Sequence, residues 1–466
     1  MIRRVVTAAL SCLLLFVPIE AFSQVDPGVR GSTVDAGNPL GSVAADNPAT
    51  ILSFFNDGKS RFIETDSVTP GSFPGEDGSG LGPRYNSRNC SSCHAQPAVG
   101  GSSPAVNPQV GDATADGATN MVPSFITLSG PVREARFVFF TDSFGNPITT
   151  SPNGGVEDLY TIAGRGDAGG CNATVIHQPD FNSAVAHNNV IFRIPTPVFG
   201  AGILENIDET TLLNFQASTV GNPFGVAGTF NHNGNDGTIS RFGWKAQNKS
   251  LEIFSGEAYN VEMGVSNELF TQERPLPEED MAAGLPNPCK INPTPEDHTN
   301  FNKPAVKTPS DAVQFAMFMR LLQPPKKEKA IPGGELSIKS GEILFGQIGC
   351  TTCHTKIFAP SPSAITPDLG VQASFGQWSD LEIHHMGSGL ADNVSQGTAG
   401  GDQFRTAPLW GLGQRIFFLH DGRRTDLVQV VADHFSTGSE ANTTKLNFDA
   451  LTTPQKQDVI NFLRSL

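Results

Sequence analysis

The chain has 466 residues, enough for two or three domains, and its 49 Gly and 34 Pro favour long defined loops over extended helical bundles. Its formal net charge of −15, from 46 acidic and 31 basic side chains, argues against nucleic acid as a partner, because phosphate binding needs a basic surface. An acidic surface of this kind is compatible with docking a basic protein.

Residues 1–23 read as a signal peptide. Met1-Ile-Arg-Arg is the basic start, VVTAALSCLLLFVP the apolar run, and Ala21-Phe22-Ser23 the small-x-small cleavage site. The run is short for a membrane span, and no later segment is long and apolar enough to be one. The expectation is a periplasmic or secreted protein with no membrane span in the mature chain. Cleavage removes Arg3, Arg4 and Glu20, which takes the net charge to −16. Residues 24–45 are rich in Gly, Ser and Pro and read as a flexible leader.

A helical pattern, NPATILSFFNDGKSRF, then leads through a Gly-rich loop to RYNSRNCSSCHAQ, with Cys90, Cys93 and His94. Between 95 and 240, short apolar segments such as SFITLSG, EARFVFFTD and NNVIFRIP alternate with Gly, Asn, Asp and Pro clusters, which predicts short strands and ordered loops. AGILENIDETTLLNFQ (201–216) predicts a helix with Asp208 capping its second half. SDAVQFAMFMRLLQPP, from Ser310, predicts another, with Ser310 and Asp311 as cap residues and Pro324-Pro325 as the stop. KKEKAIPGGE (326–335) marks a linker. GEILFGQIG then runs as a helix into Cys350-Thr351-Thr352-Cys353-His354, and TTPQKQDVINFLRSL closes the chain as an amphipathic helix.

Cys-x-x-Cys-His thus occurs twice, 260 residues apart, in a chain of seven cysteines. This is the spacing at which two thiols add across the vinyl groups of haem while the adjacent imidazole turns onto the iron. Zinc ribbons pair their Cys-x-x-Cys units closely, whereas Cys93 and Cys350 are 257 apart. A redox dithiol needs no following His. Two covalently bound c-type haems are therefore expected, with Cys90, Cys93, Cys350 and Cys353 as attachment points and His94 and His354 as iron ligands. Cys171 and Cys289 are left either as a disulfide or as two buried thiols.

The expected fold is mainly α with irregular loops and some short β, in two cytochrome c-like haem domains. The N-terminal domain spans 46–325 and is enlarged by a long insertion in the 95–240 region; the C-terminal one spans 336–466. Candidates near the second iron are His384, His385, Met386, His420 and His434. For the first iron, His177, His187 and His232 offer themselves without distinguishing context.

FRTAPLWGLG (404–413), FLHDGRRTDLVQVVADH (418–434) and RFGWKAQNKSLEIFSGEAYNVEMG (241–264) resemble the bacterial di-haem cytochrome c peroxidases. HHMGSGLADN (384–393) and RFGWKA are similar to the di-haem oxidoreductases sometimes labelled thiol oxidoreductases. The resemblance implies a peroxidase-like oxidoreductase with a reactive N-terminal haem and an electron-transfer C-terminal haem. In the peroxidases an axial Met follows fourteen residues after the His of His-Asp-Gly; counted from His420, that position is His434. Such a replacement implies a lower potential, and Met386 is the rival ligand.

The peroxidases also carry an acid/base carboxylate in Asn-Pro-x-Glu-Met. Here the block is Asn260-Val261-Glu262-Met263, one residue shorter and without the proline, so Glu262 is the implied catalytic carboxylate. Trp244 lies close to the position of the tryptophan between the haems. The family's Gln in this block falls on an apolar residue near Ile253, which weakens the transfer of peroxidase activity. The implied partners are a small cytochrome or similar redox protein and a peroxide or small organic substrate. Two alternatives stay open: an electron carrier without chemistry of its own, and ferryl-type oxidation of a protein or organic substrate. Calcium between the domains is also left open, with GNPFG and HNGNDG as generic polar loops. Both Cys-x-x-Cys pairs being consumed by haem, the residues give the thiol label no support.

Overall fold

The computed structural model describes residues 24–31, 35–41, 48–76, 78–172, 174, 176–274, 276, 289, 292–303, 305–356 and 376–466. The signal-peptide reading of 1–23 falls outside them. The described residues combine short helices, four small antiparallel sheets and long ordered loops. None of their helices is long and apolar enough to cross a membrane.

Two hydrophobic clusters organise the chain. The first gathers Phe55 and Phe62 of α1 (Pro48–Ile63), Tyr259 and Met263 of α2 (Leu251–Met263), and Phe315, Phe318 and Met319 of α3 (Asp311–Leu321). The second gathers Leu344 and Phe345 of α4 (Gly334–Gln347), Trp378, and Val459, Ile460 and Phe462 of α6 (Thr453–Ser465), beside the shorter α5 (Leu427–Asp433). Each cluster has a close helix crossing that only glycine allows. A Cβ on Gly58 of α1 would lie 2.3 Å from the Gln314 carbonyl oxygen of α3, and one on Gly341 of α4 would lie 2.0 Å from that of Asp458 in α6. Both α1 and α4 are the helices that precede a Cys-x-x-Cys-His, so each crossing sets where a pentapeptide sits.

Within 95–240, β1 (Glu134–Phe137) is the centre of a three-stranded antiparallel sheet, flanked by β2 (Val156–Glu157) and β3 (Val190–Arg193). Ala135 pairs with Glu157 on one side and Phe192 on the other. Strand alternation sends Ala135 and Phe137 to one face, where they join the first cluster. It sends Glu134 and Arg136 to the other. Cys171 and Cys289 are joined as a disulfide. In the C-terminal part, β4 (Ile383–His385) pairs with β5 (Gln403–Arg405), setting His384 opposite Phe404.

Several local readings need amendment. The 201–216 segment is two helices, Ala201–Glu205 and Glu209–Thr219; Asp208 caps the second by accepting from the Thr211 N–H at 2.9 Å. Ser310 occupies the cap position of α3, but its side chain makes no cap bond. The Asp297 carboxylate does so instead, accepting from the Asp311 and Ala312 N–H groups at 2.7 and 3.0 Å. SFITLSG forms no strand. The segment 24–45, read as flexible, is pinned at its described residues. Asp26 bonds the Arg464 guanidinium of α6 at 2.7 and 2.8 Å, and Leu40 is fully buried in the first cluster. Its Gly- and Pro-rich composition suits a linker, yet a buried ion pair, a buried leucine and backbone bonds from Arg30 and Leu40 hold it.

Candidate functional site

Each pentapeptide lies on the wall of a cavity. In the first, Asn89 caps a single helical turn, Cys90–Cys93, by accepting from the Ser92 N–H at 2.7 Å. The His94 N–H bonds the Cys90 carbonyl at 3.0 Å, and the His354 N–H bonds that of Cys350 at 2.9 Å. The two imidazoles are then held alike. His94 Nδ1 lies 3.1 Å from the Gly101 carbonyl oxygen, and His354 Nδ1 lies 2.9 Å from that of Trp378. A carbonyl only accepts, so Nδ1 carries the proton and Nε2 keeps its lone pair for a metal. Burial pushes both imidazoles down to about 4, which keeps them neutral. Phe62 and Phe345 stand against the two rings, with centroids 5.9 and 6.2 Å away.

The first cavity spans about 1160 Å3, its open mouth included, and is lined by Cys90, Cys93 and His94 on one side. Glu262, Glu134, Arg136 and Gln247 also line it, and His94 is its only imidazole among the described residues. His177, His187 and His232 are exposed and absent from its walls. Glu262, at the end of α2, accepts from Asn86 Nδ2 at 3.0 Å and hydrogen-bonds Glu134. Burial, and then the charge of Glu134, hold the Glu262 carboxyl well above its usual range, so it carries a proton. Burial also works against Glu134, but the adjoining Arg136 guanidinium and the bond from Glu262 overcome it and keep Glu134 ionised. The result is a protonated acid beside a carboxylate, clamped by an arginine. Gln247 Oε1 is buried and has no partner among the described residues.

The second cavity encloses about 1420 Å3 and is lined by Cys350, Cys353 and His354, with His384, Met386, His420 and His434 also on its walls. His434 ends α5, and its Nδ1 donates to the Val430 carbonyl at 2.8 Å. Its Nε2 is left unprotonated, as in His94 and His354. Burial lowers its pKa as well. His384 differs. Its Nε2 bonds Asp380 at 3.0 Å and its Nδ1 bonds Glu440 at 2.9 Å, so both nitrogens are committed. Burial opposes its charge, but Asp380 outweighs that and raises its pKa well above normal. His385 is exposed and pairs with Asp402 at 2.9 Å. Met386 reaches the wall from the loop after β4.

Trp244 lines both cavities. Its Nε1–H donates to the Ile194 carbonyl at 2.9 Å, and its ring meets His420 edge-on at 6.4 Å between centroids. Beneath it Lys245 and Arg193 share Asp392, at 3.0 and 2.9 Å, all three side chains buried. Burial lowers Lys245 to about 8 against the pull of Asp392.

The residues fit haem better than the alternatives. Burial raises the Cys90 and Cys350 thiols, the opposite of what a redox dithiol needs. Among the described residues the one grouping of metal-type donors is Cys353, Asp380 and His384, within 4.8 Å of one another. There the imidazole is taken up by carboxylates, and the set does not suit calcium, which takes oxygen donors. Paired thiols outside any disulfide, and an imidazole with a lone pair beside a cavity, fit a covalent haem at both pentapeptides.

Residues 170–466 match the family described as "Di-haem oxidoreductase, putative peroxidase". The chain belongs to that family. It is a di-haem oxidoreductase of peroxidase-like type, and membership implies two haems. The match begins after the first pentapeptide, so Cys90, Cys93, His94, Glu134 and Arg136 stand outside it. Among solved structures, the diheme peroxidase BthA from Burkholderia thailandensis is 14% identical over 56% of this chain and 86% of its own, with a TM-score of 0.27. Hydrazine synthase from Kuenenia stuttgartiensis is 16% identical over 34% of this chain, with a TM-score of 0.23; the di-haem oxidoreductase chain spans 58% of that protein. No curated protein matches.

The sequence resemblance pointed to Glu262 and Trp244 but not to Glu134 or Arg136. Their only signal was an Arg two places after a Glu in a segment that otherwise reads as a plain strand.

Proposed function

We propose that this di-haem oxidoreductase is exported and reduces peroxide at its first cavity with electrons that enter at its second. Export rests on the signal-like residues 1–23 and on the c-type attachment motifs. Cys90 and Cys93 would hold one macrocycle with His94 on its iron, and Cys350 and Cys353 the other with His354 and His434. Bound haem would supply peroxide reduction in the first cavity and electron storage in the second.

The observation that carries this reading is the contrast in what faces each proximal imidazole. The first cavity has an acid pair and no second imidazole; the second has His434 with Nε2 free. Glu262 holds its proton on a carboxyl that Asn86 orients, and passes it to the departing peroxide oxygen. Glu134 stays charged against Arg136 and helps keep the proton on Glu262; once that proton is used, solvent replaces it. Reduction of hydrogen peroxide to two waters needs two protons and two electrons, the latter from a redox protein. Trp244, against both cavities, keeps the two sites apart by one indole and is placed to assist electron passage.

Peroxide-dependent oxidation of a reduced small cytochrome tests the proposal. Turnover well above that of free haem is expected. No turnover with both haems present would leave the electron-carrier reading in its place.

A further inference from the structure

Arg405, partly buried, and Arg415, buried, are two cations on the wall of the second cavity. Both line the second cavity, and both also line a smaller void of about 370 Å3 shared with Trp244, Thr196 and Trp410. Arg405 donates Nε–H to the Gly243 carbonyl at 3.1 Å, while its Nη1 is buried and unpaired among the described residues. Arg415 is 7% exposed, and its guanidinium has no hydrogen-bond or ion-pair partner among the described residues. Burial lowers both to about 10, and the two repel each other. The nearest acid, Asp380, is committed: one carboxylate oxygen takes the His384 Nε2 bond and the other the Glu382 N–H.

Two guanidiniums drawn from water beside one cavity, with the nearby Asp380 already engaged, are costly unless an anion joins them. The anion must be small, carry planar oxygens and sit where the second cavity meets the wall behind Trp244. A carboxylate accepts two parallel N–H bonds from such a fork. We propose that Arg405 and Arg415 form a carboxylate clamp that takes the propionate groups of the haem held by Cys350 and Cys353. This rests on the second cavity holding that haem. The clamp also sets potential: two cations beside the macrocycle disfavour the ferric state and raise the reduction potential.

The test is a spectroelectrochemical titration of both haems in the purified holoprotein, preceded by a haem-to-protein ratio. In Arg405→Gln and Arg415→Gln the midpoint of the second haem is expected to fall by about 59 mV, a tenfold change in the oxidised-to-reduced ratio. The first haem should move much less. Arg405→Lys and Arg415→Lys keep the charge, so the midpoint should hold, while loss of the planar fork shifts the propionate bending mode in the resonance Raman spectrum. Should the Gln variants not fold, the Lys variants decide through that mode. Unmoved midpoints in the Gln variants, or an unshifted mode in both Lys variants, would overturn the clamp. A wild-type ratio of one haem per chain would instead overturn the reading beneath it.

Discussion

The two cavities begin alike and end differently. Each has a helix crossing made close by one glycine, a Cys-x-x-Cys turn, and an imidazole fixed by a backbone carbonyl and backed by a phenylalanine. What faces that imidazole then diverges. The first cavity presents ionisable oxygens, Glu262 with a proton and Glu134 without one. The second presents three further imidazoles, of which His434 keeps Nε2 unbonded, with a thioether, two arginines and the Glu440 carboxylate that His384 engages. The shared half is what an attached haem would require, and it supports the proposed place of each group. The unshared half carries the proposed division, with proton traffic on one side and charge storage on the other.

The sharpest way to break the comparison is Glu262→Gln, which keeps the shape and removes the proton. Peroxide turnover should fall roughly 100- to 10,000-fold, the range of a general acid–base group, with both haems retained. Turnover within threefold of wild type would place the proton source elsewhere. The same residue sets a pH limb. The acid form is the active one, and its pKa lies above the usual carboxylate range, so kcat/KM should fall as pH rises through that value. Glu134→Gln removes the neighbouring charge that helps to raise it, and should move the limb to lower pH.

Between the cavities, Asp392→Asn strips the counter-ion from buried Arg193 and Lys245 at once. About 3–5 kcal/mol of stability should be lost, read by denaturant unfolding of the holoprotein. A loss below 1 kcal/mol would mean that the three charges are not a structural seam. On the second side, His434→Met should raise the midpoint of that haem, since thioether favours ferrous iron more than imidazole does. Met386→Leu should leave it unchanged. The reverse pattern would assign the axial position to Met386.

Much of this was legible where the chemistry is local. The pentapeptides carry their own geometry within five residues. Asp208 caps its helix by a bond to Thr211, three residues on, and Thr452 and Gln455 form a capping box on the terminal helix. What could not be read depends on distant pairings. Glu134 and Glu262 are brought together by a sheet in a region without a recognisable motif. The Asp297 cap displaced the nearer Ser310, because a carboxylate in the right place accepts two N–H bonds where a hydroxyl made none. Asp26 reads as a linker acid until Arg464, 438 residues away, is seen beside it. Arg405 and Arg415 look like ordinary surface charges until they are seen on the wall of the second cavity.

The most direct test of the division between the cavities is an EPR spectrum of the purified ferric protein, taken with its haem-to-protein ratio. With two haems per chain, the account predicts one high-spin signal from the first site, where no second imidazole waits, and one low-spin signal from the site with His354 and His434. Two low-spin signals in the ferric protein, with the one ferric signal left after one-electron reduction still low-spin, would contradict it.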